Sequence, residues 1–69
     1  MKIKSKDTYK LTTEDYIVEF EGQDYRYVDY FNEDGKIIDS ELKTLDGFAV
    51  EVPTIFEAVQ SFIDENPNF

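Results

Sequence analysis

The chain has 69 residues with 16 acidic and 7 basic side chains, a net charge of −9, and neither cysteine nor histidine. That composition excludes disulfides, thiol nucleophiles, imidazole acid–base chemistry and the usual zinc or copper ligands. A chain this short is expected to form a single small domain over residues 1–69, burying only about 60% of the surface its unfolded form exposes.

Charge is unevenly placed. Residues 1–10 carry Lys2, Lys4, Lys6 and Lys10 against Asp7, while the rest holds Arg26, Lys36 and Lys43 against fifteen carboxylates. An acidic body repels phosphate backbones and is steered toward basic surfaces. Met1 leads into polar, lysine-bearing sequence, and no apolar run is long enough for a signal-peptide core or a membrane span. The expectation is a cytoplasmic protein without membrane contact.

At the N-terminus, residues 1–7 read as an edge strand or a flexible lysine-rich arm, the alternating lysines blunting strand addition by other chains. Tyr9 and Leu11 alternate, so Thr8 to Thr12 reads as an additional strand. The segments Tyr16 to Glu21 and Asp24 to Phe31 alternate with β-branched and aromatic residues, and Gly22-Gln23 between them fits a type II′ hairpin turn. That register sets Phe20 opposite Tyr25, Val18 opposite Tyr27, Glu19 opposite Arg26 and Ile17 opposite Val28. Asp34-Gly35 then predicts a type I′ turn, with Phe31 facing Ile38, Asp29 facing Ser40 and Tyr27 facing Leu42. A third turn at Asp46-Gly47 suggests a short strand, Phe48 to Val52.

Beyond the strands the period changes. Thr54 and Glu57 form a capping-box pattern, and Ile55, Phe56, Val59, Phe62 and Ile63 make a helical stripe. The helix is expected to run from Thr54 to Glu65 and to stop before Pro67. The fold class is α+β: an antiparallel β-meander of three to five strands with one C-terminal helix packed on one face.

The sheet then has two unlike faces. Tyr16, Val18, Phe20, Tyr25, Tyr27, Phe31, Ile38 and Leu42 make the bed for the helix. The opposite face carries Ile17, Val28, Tyr30 and Ile37 among Glu19, Arg26, Asp39 and Glu41, and either receives a protein partner or is covered by the segment holding Tyr9 and Leu11. Carboxylates at its rim argue against a nucleic-acid platform.

Chemistry is sparse. Asp29 falls among aromatic residues with Ser40 opposite to donate to it, which makes it a structural carboxylate rather than a general acid, and no second carboxylate is placed beside it. The run from Tyr30 to Glu41 imitates a calcium loop, but its first position is Tyr30 and no helices flank it. Leu42 spoils a similar reading of the Asp46-Gly47 stretch. No catalytic residue, metal or cofactor is expected.

The favoured reading is an acidic protein-binding module, an inhibitor that mimics nucleic-acid charge toward a basic protein partner, as small inhibitors encoded by phages and mobile elements often do. Its expected binding residues are Tyr30, Glu19, Asp39, Glu41, Ile17, Val28 and Ile37. The alternatives are an accessory domain that homodimerises through the same face, and a nucleic-acid binder stacking bases on Tyr25 and Tyr30.

Overall fold

The computed structural model describes residues 1–9 and 12–66. Four antiparallel strands, β1 (Lys2–Tyr9), β2 (Thr13–Phe20), β3 (Gln23–Phe31) and β4 (Ile37–Thr44), lie in chain order across one sheet and are followed by helix α1 (Pro53–Asp64). This is the expected α+β meander. The N-terminal segment is the edge strand rather than an arm. Its strand covers Lys2–Tyr9 and not Thr8 to Thr12, since Thr12 lies in the turn before β2. The expectations for Leu11, the Tyr9 side chain and Pro67 lie outside what is described.

The β2–β3 register departs from expectation by two residues. Val18 pairs with Tyr25, Tyr16 with Tyr27, Ile17 with Arg26 and Glu19 with Asp24. The reason is the turn: Glu21 (φ 52°) and Gly22 (φ 80°) both adopt left-handed conformations, so they form the type I′ loop in place of Gly22-Gln23. A two-residue slip preserves side-chain parity, and each residue of the pair keeps its expected face.

Both later turns use another device. Gly35 N donates to Asn32 O and Asn32 N to Lys36 O; likewise Gly47 N donates to Thr44 O and Thr44 N to Phe48 O. With Gly35 at φ 79° and Gly47 at φ 93°, and Asp34 not at positive φ, each is a type I turn closed by a left-handed glycine. The Asn32 side chain accepts from the Asp34 and Lys36 amides, and Thr44 Oγ1 accepts from Phe48 N. The extra residue bulges the β3–β4 ladder, so Phe31 pairs with Ile37 instead of Ile38, while Asp29–Ser40 and Tyr27–Leu42 pair as expected.

The stretch Phe48 to Val52 does not become a strand. It makes a single bridge to β4, Lys43 to Ala49, flanked by the bonds from Thr44 N to Phe48 O and from Val50 N to Leu42 O. Pro53 then opens the helix at its first position, where a missing N–H costs nothing. That moves the cap upstream to Val52, which offers no side-chain bond, and the Thr54–Glu57 capping box does not form.

Val59 and Ile63 press into Ile3, Tyr16, Val18, Tyr25, Tyr27 and Leu42, with Phe20, Val50, Ile55, Phe56 and Phe62 packed around this core. Tyr27 lies at its centre, its ring tilted against Tyr16 at 6.1 Å and Phe56 at 5.9 Å. Gln60 Nε2 donates to the Tyr27 hydroxyl at 3.2 Å, tying helix to sheet. Ile38, expected in this bed, is 65% exposed because the bulge turns it out of the ladder.

Candidate functional site

Because α1 covers one face of the sheet, the other is left to the alternating residues of the strands. Ile17, Glu19, Val28, Tyr30, Asp39 and Glu41 all lie on that second face by register: Val28 opposite Glu41, Tyr30 opposite Asp39, Ile17 opposite Arg26. Ile37 does not join them. The bulge pairs it with Phe31, and it lines a cleft with Phe31 and Ile63 on the helix side. Val28 is buried by its neighbours on the central strand, whereas Ile17 and Tyr30 are half-buried.

The face is a lattice of opposite charges. Glu19 and Asp24 are direct cross-strand neighbours of like charge, and Lys4 lies between them, its Nζ 3.0 Å from Asp24 and 4.0 Å from Glu19. An irregularity between Ile3 and Ser5 aims Lys4 this way while Lys6 takes the helix side, 2.7 Å from Glu14. The lysines therefore do not share one side of the strand, and Lys4 and Lys6 merge into the acidic body. Asp15 opposes Asp7 and meets Arg26 Nε at 3.5 Å; that oxygen is shut off from solvent without a hydrogen bond of its own.

Tyr30 sits next to Glu41, itself 2.9 Å from Lys43. Partial burial, then the Glu41 charge, hold the Tyr30 phenol above its ordinary pKa. The bond from Lys43 lowers the Glu41 carboxyl. Sequence reasoning missed Lys4, Lys43, Asp15 and Asp24 on this face. Their parity within the strands was the available signal for all but Lys4, whose direction depends on the strand irregularity.

On the helix side, Ser40 Oγ donates to Asp29 Oδ1 at 2.7 Å, and Asp29 is 4% exposed. This matches a carboxylate held in the sheet by its cross-strand partner, but a second carboxylate does lie beside it, since the shifted β2–β3 register sets Glu14 opposite Asp29. Nearby, Lys6 lies 5.4 Å from the Tyr16 ring centre, and the Tyr16 hydroxyl donates to Glu14 at 3.2 Å. Burial raises the Tyr16 phenol pKa, with Glu14 adding to the effect.

Among the described residues there is no group of three or more carboxylates that could hold a metal ion, and no helix is long and apolar enough to cross a membrane. Neither protein-family models, curated proteins nor solved structures yield a match to this chain.

Proposed function

We propose that the chain is a small acidic protein-binding module, acting in the cytoplasm, that engages a basic protein through the second sheet face. One observation carries this reading: the helix spends its apolar stripe on the first face, and the face around Tyr30 has no covering element among the described residues. An aromatic ring within a polar rim is the usual form of a binding anchor.

The charges divide the work. On the face itself the carboxylates are partly matched by Lys4, Arg26 and Lys43, which favours a partner with a defined charge pattern. The net charge of −9 adds long-range steering toward a basic surface. Occupying a groove that otherwise receives phosphates makes such a module an inhibitor by charge mimicry. No catalytic step is assigned to it.

The test is binding to a partner recovered by affinity capture. Tyr30→Ala should weaken the complex by about 2 kcal/mol or more, and Asp39→Lys with Glu41→Lys should slow association most at low salt. Parent-like binding by both variants overturns the reading. Twice the monomer mass in sedimentation, insensitive to salt, supports a homodimer instead.

A further inference from the structure

The segment between β4 and α1 leaves apolar side chains in water. Phe48 is 72% exposed, and Leu45 and Val52 are exposed as well, in a protein with little apolar surface to spare. Nothing in the turn requires them. Thr44 and Gly47 make the turn's bonds through backbone and hydroxyl, and the Phe48 backbone alone completes the loop.

Val52 lines a groove, and Phe48 lies two residues before its Val50 in the chain. Val50 and Phe56 form its floor, Val52 and Pro53 a wall, and Glu51 and Glu57 also line it, around a volume of about 260 Å³. A second hollow shares Val50 and Phe56 and runs along the β4 edge past Ser40 and Leu42. The two hollows thus adjoin at Val50 and Phe56.

The charged lining of the first hollow is acidic, Glu51 and Glu57, whereas Lys43 and Glu41 line the second. Among the described residues, Asp46, Glu51 and Glu57 make no ion pair, and the cation nearest along the chain, Lys43, is engaged by Glu41. The carboxylates of the sheet face are partly matched by cations, whereas Glu51 and Glu57 are free to meet a cation. An exposed apolar patch with a polar rim marks an interaction site, and this rim selects the sign of the occupant.

We propose that the groove between the β4 edge and the start of α1 docks a partner segment in which large apolar residues are flanked by lysine or arginine. This rests on the reading of the chain as a module for basic proteins, and it adds a second contact on the helix side of β4. The apolar residue would fill the space lined by Val50, Val52 and Phe56, with exposed Phe48 two residues before Val50 extending the apolar contact, and its flanking cations would meet Glu51 and Glu57.

The probe is a hexapeptide with leucine and phenylalanine between two pairs of lysines, titrated into the whole protein while backbone amides are followed by NMR. Amide shifts should concentrate between Leu45 and Glu57. Replacing the two apolar residues of the peptide by glycine should weaken binding about tenfold or more, as should Phe48→Ser and, separately, Glu51→Lys with Glu57→Lys. Phe48 lies outside the core, so its variant retains the sheet spectrum and remains a fair test.

Shifts confined to Thr13, Val28 and Tyr30 would overturn the groove and leave the sheet-face reading standing. Equal binding of the glycine peptide, or no binding of either, would overturn it too. Concentration-dependent shifts at Phe48 without peptide would make a second copy of the chain the occupant, which also overturns the proposal.

Discussion

Ser40 Oγ donates to Asp29 Oδ1 at 2.7 Å between directly paired positions of β4 and β3, and this bond belongs to one of the few polar groups drawn into the sheet's buried side. Removing the donor leaves the carboxylate in place with its partner gone. Ser40→Ala should therefore cost about 1–3 kcal/mol, the range for a buried acceptor left unsatisfied. Urea unfolding followed by circular dichroism measures it, and an unchanged midpoint would mean that water replaces the hydroxyl without loss.

The first hairpin carries strain that a better turn residue relieves. Glu21 sits at φ 52°, a left-handed conformation disfavoured for a glutamate, next to Gly22 at φ 80°. Glu21→Asn creates the favoured asparagine–glycine pair for a type I′ turn. The variant should gain up to about 1 kcal/mol, seen as a higher urea midpoint with an unchanged slope.

The helix stripe is not uniformly deep. Val59 and Ile63 are buried, whereas Phe62 is only half-buried at the edge of the core. Ile63→Ala should cost about 2–5 kcal/mol, enough to unfold much of a small domain. Phe62→Ala should cost less than Ile63→Ala despite the larger side chain removed; the reverse order in chemical denaturation would place the helix in a different rotation.

Tyr27 predicts a loss of stability at high pH. Burial pushes its phenol pKa up to about 12 from an ordinary value of 10.0, with Asp29 adding to the rise and the neighbouring Ser40 hydroxyl and Gln60 amide opposing it. A raised folded-state pKa means that the unfolded chain loses this proton first. The contribution of this group is intact below about pH 10 and declines as pH rises to about 12. In Tyr27→Phe that part of the decline should vanish when denaturation midpoints are compared across the window.

Much of this architecture follows from local pattern. Alternation over Tyr16 to Phe20 and Asp24 to Phe31 assigns each side chain to a face, and because the side-chain period is two, an error of two residues at the turn left those assignments intact. The helical stripe from Ile55 to Ile63 is legible for the same reason: its spacing needs no partner to define it. Asp29 and Ser40 could be paired from sequence because their register depends only on a turn located near Gly35.

Other features depend on the whole fold. Whether Gly22 or Gly35 closes a primed turn or a type I turn is decided by the backbone conformation of Glu21 and Asp34, and the dipeptide alone does not state it. The resulting bulge, one residue rather than two, reverses parity and carries Ile37 from the Tyr30 face to the helix side.

Charge shows the same division. Composition determined the excess of carboxylates, but only the tertiary structure brought Lys4 between Glu19 and Asp24, and set Glu51 and Glu57 at the edge of an apolar groove. Local periodicity sets which way a side chain points. Pairing across strands decides what it meets, because Coulomb attraction and burial depend on distances that residues far apart in the chain acquire only on folding.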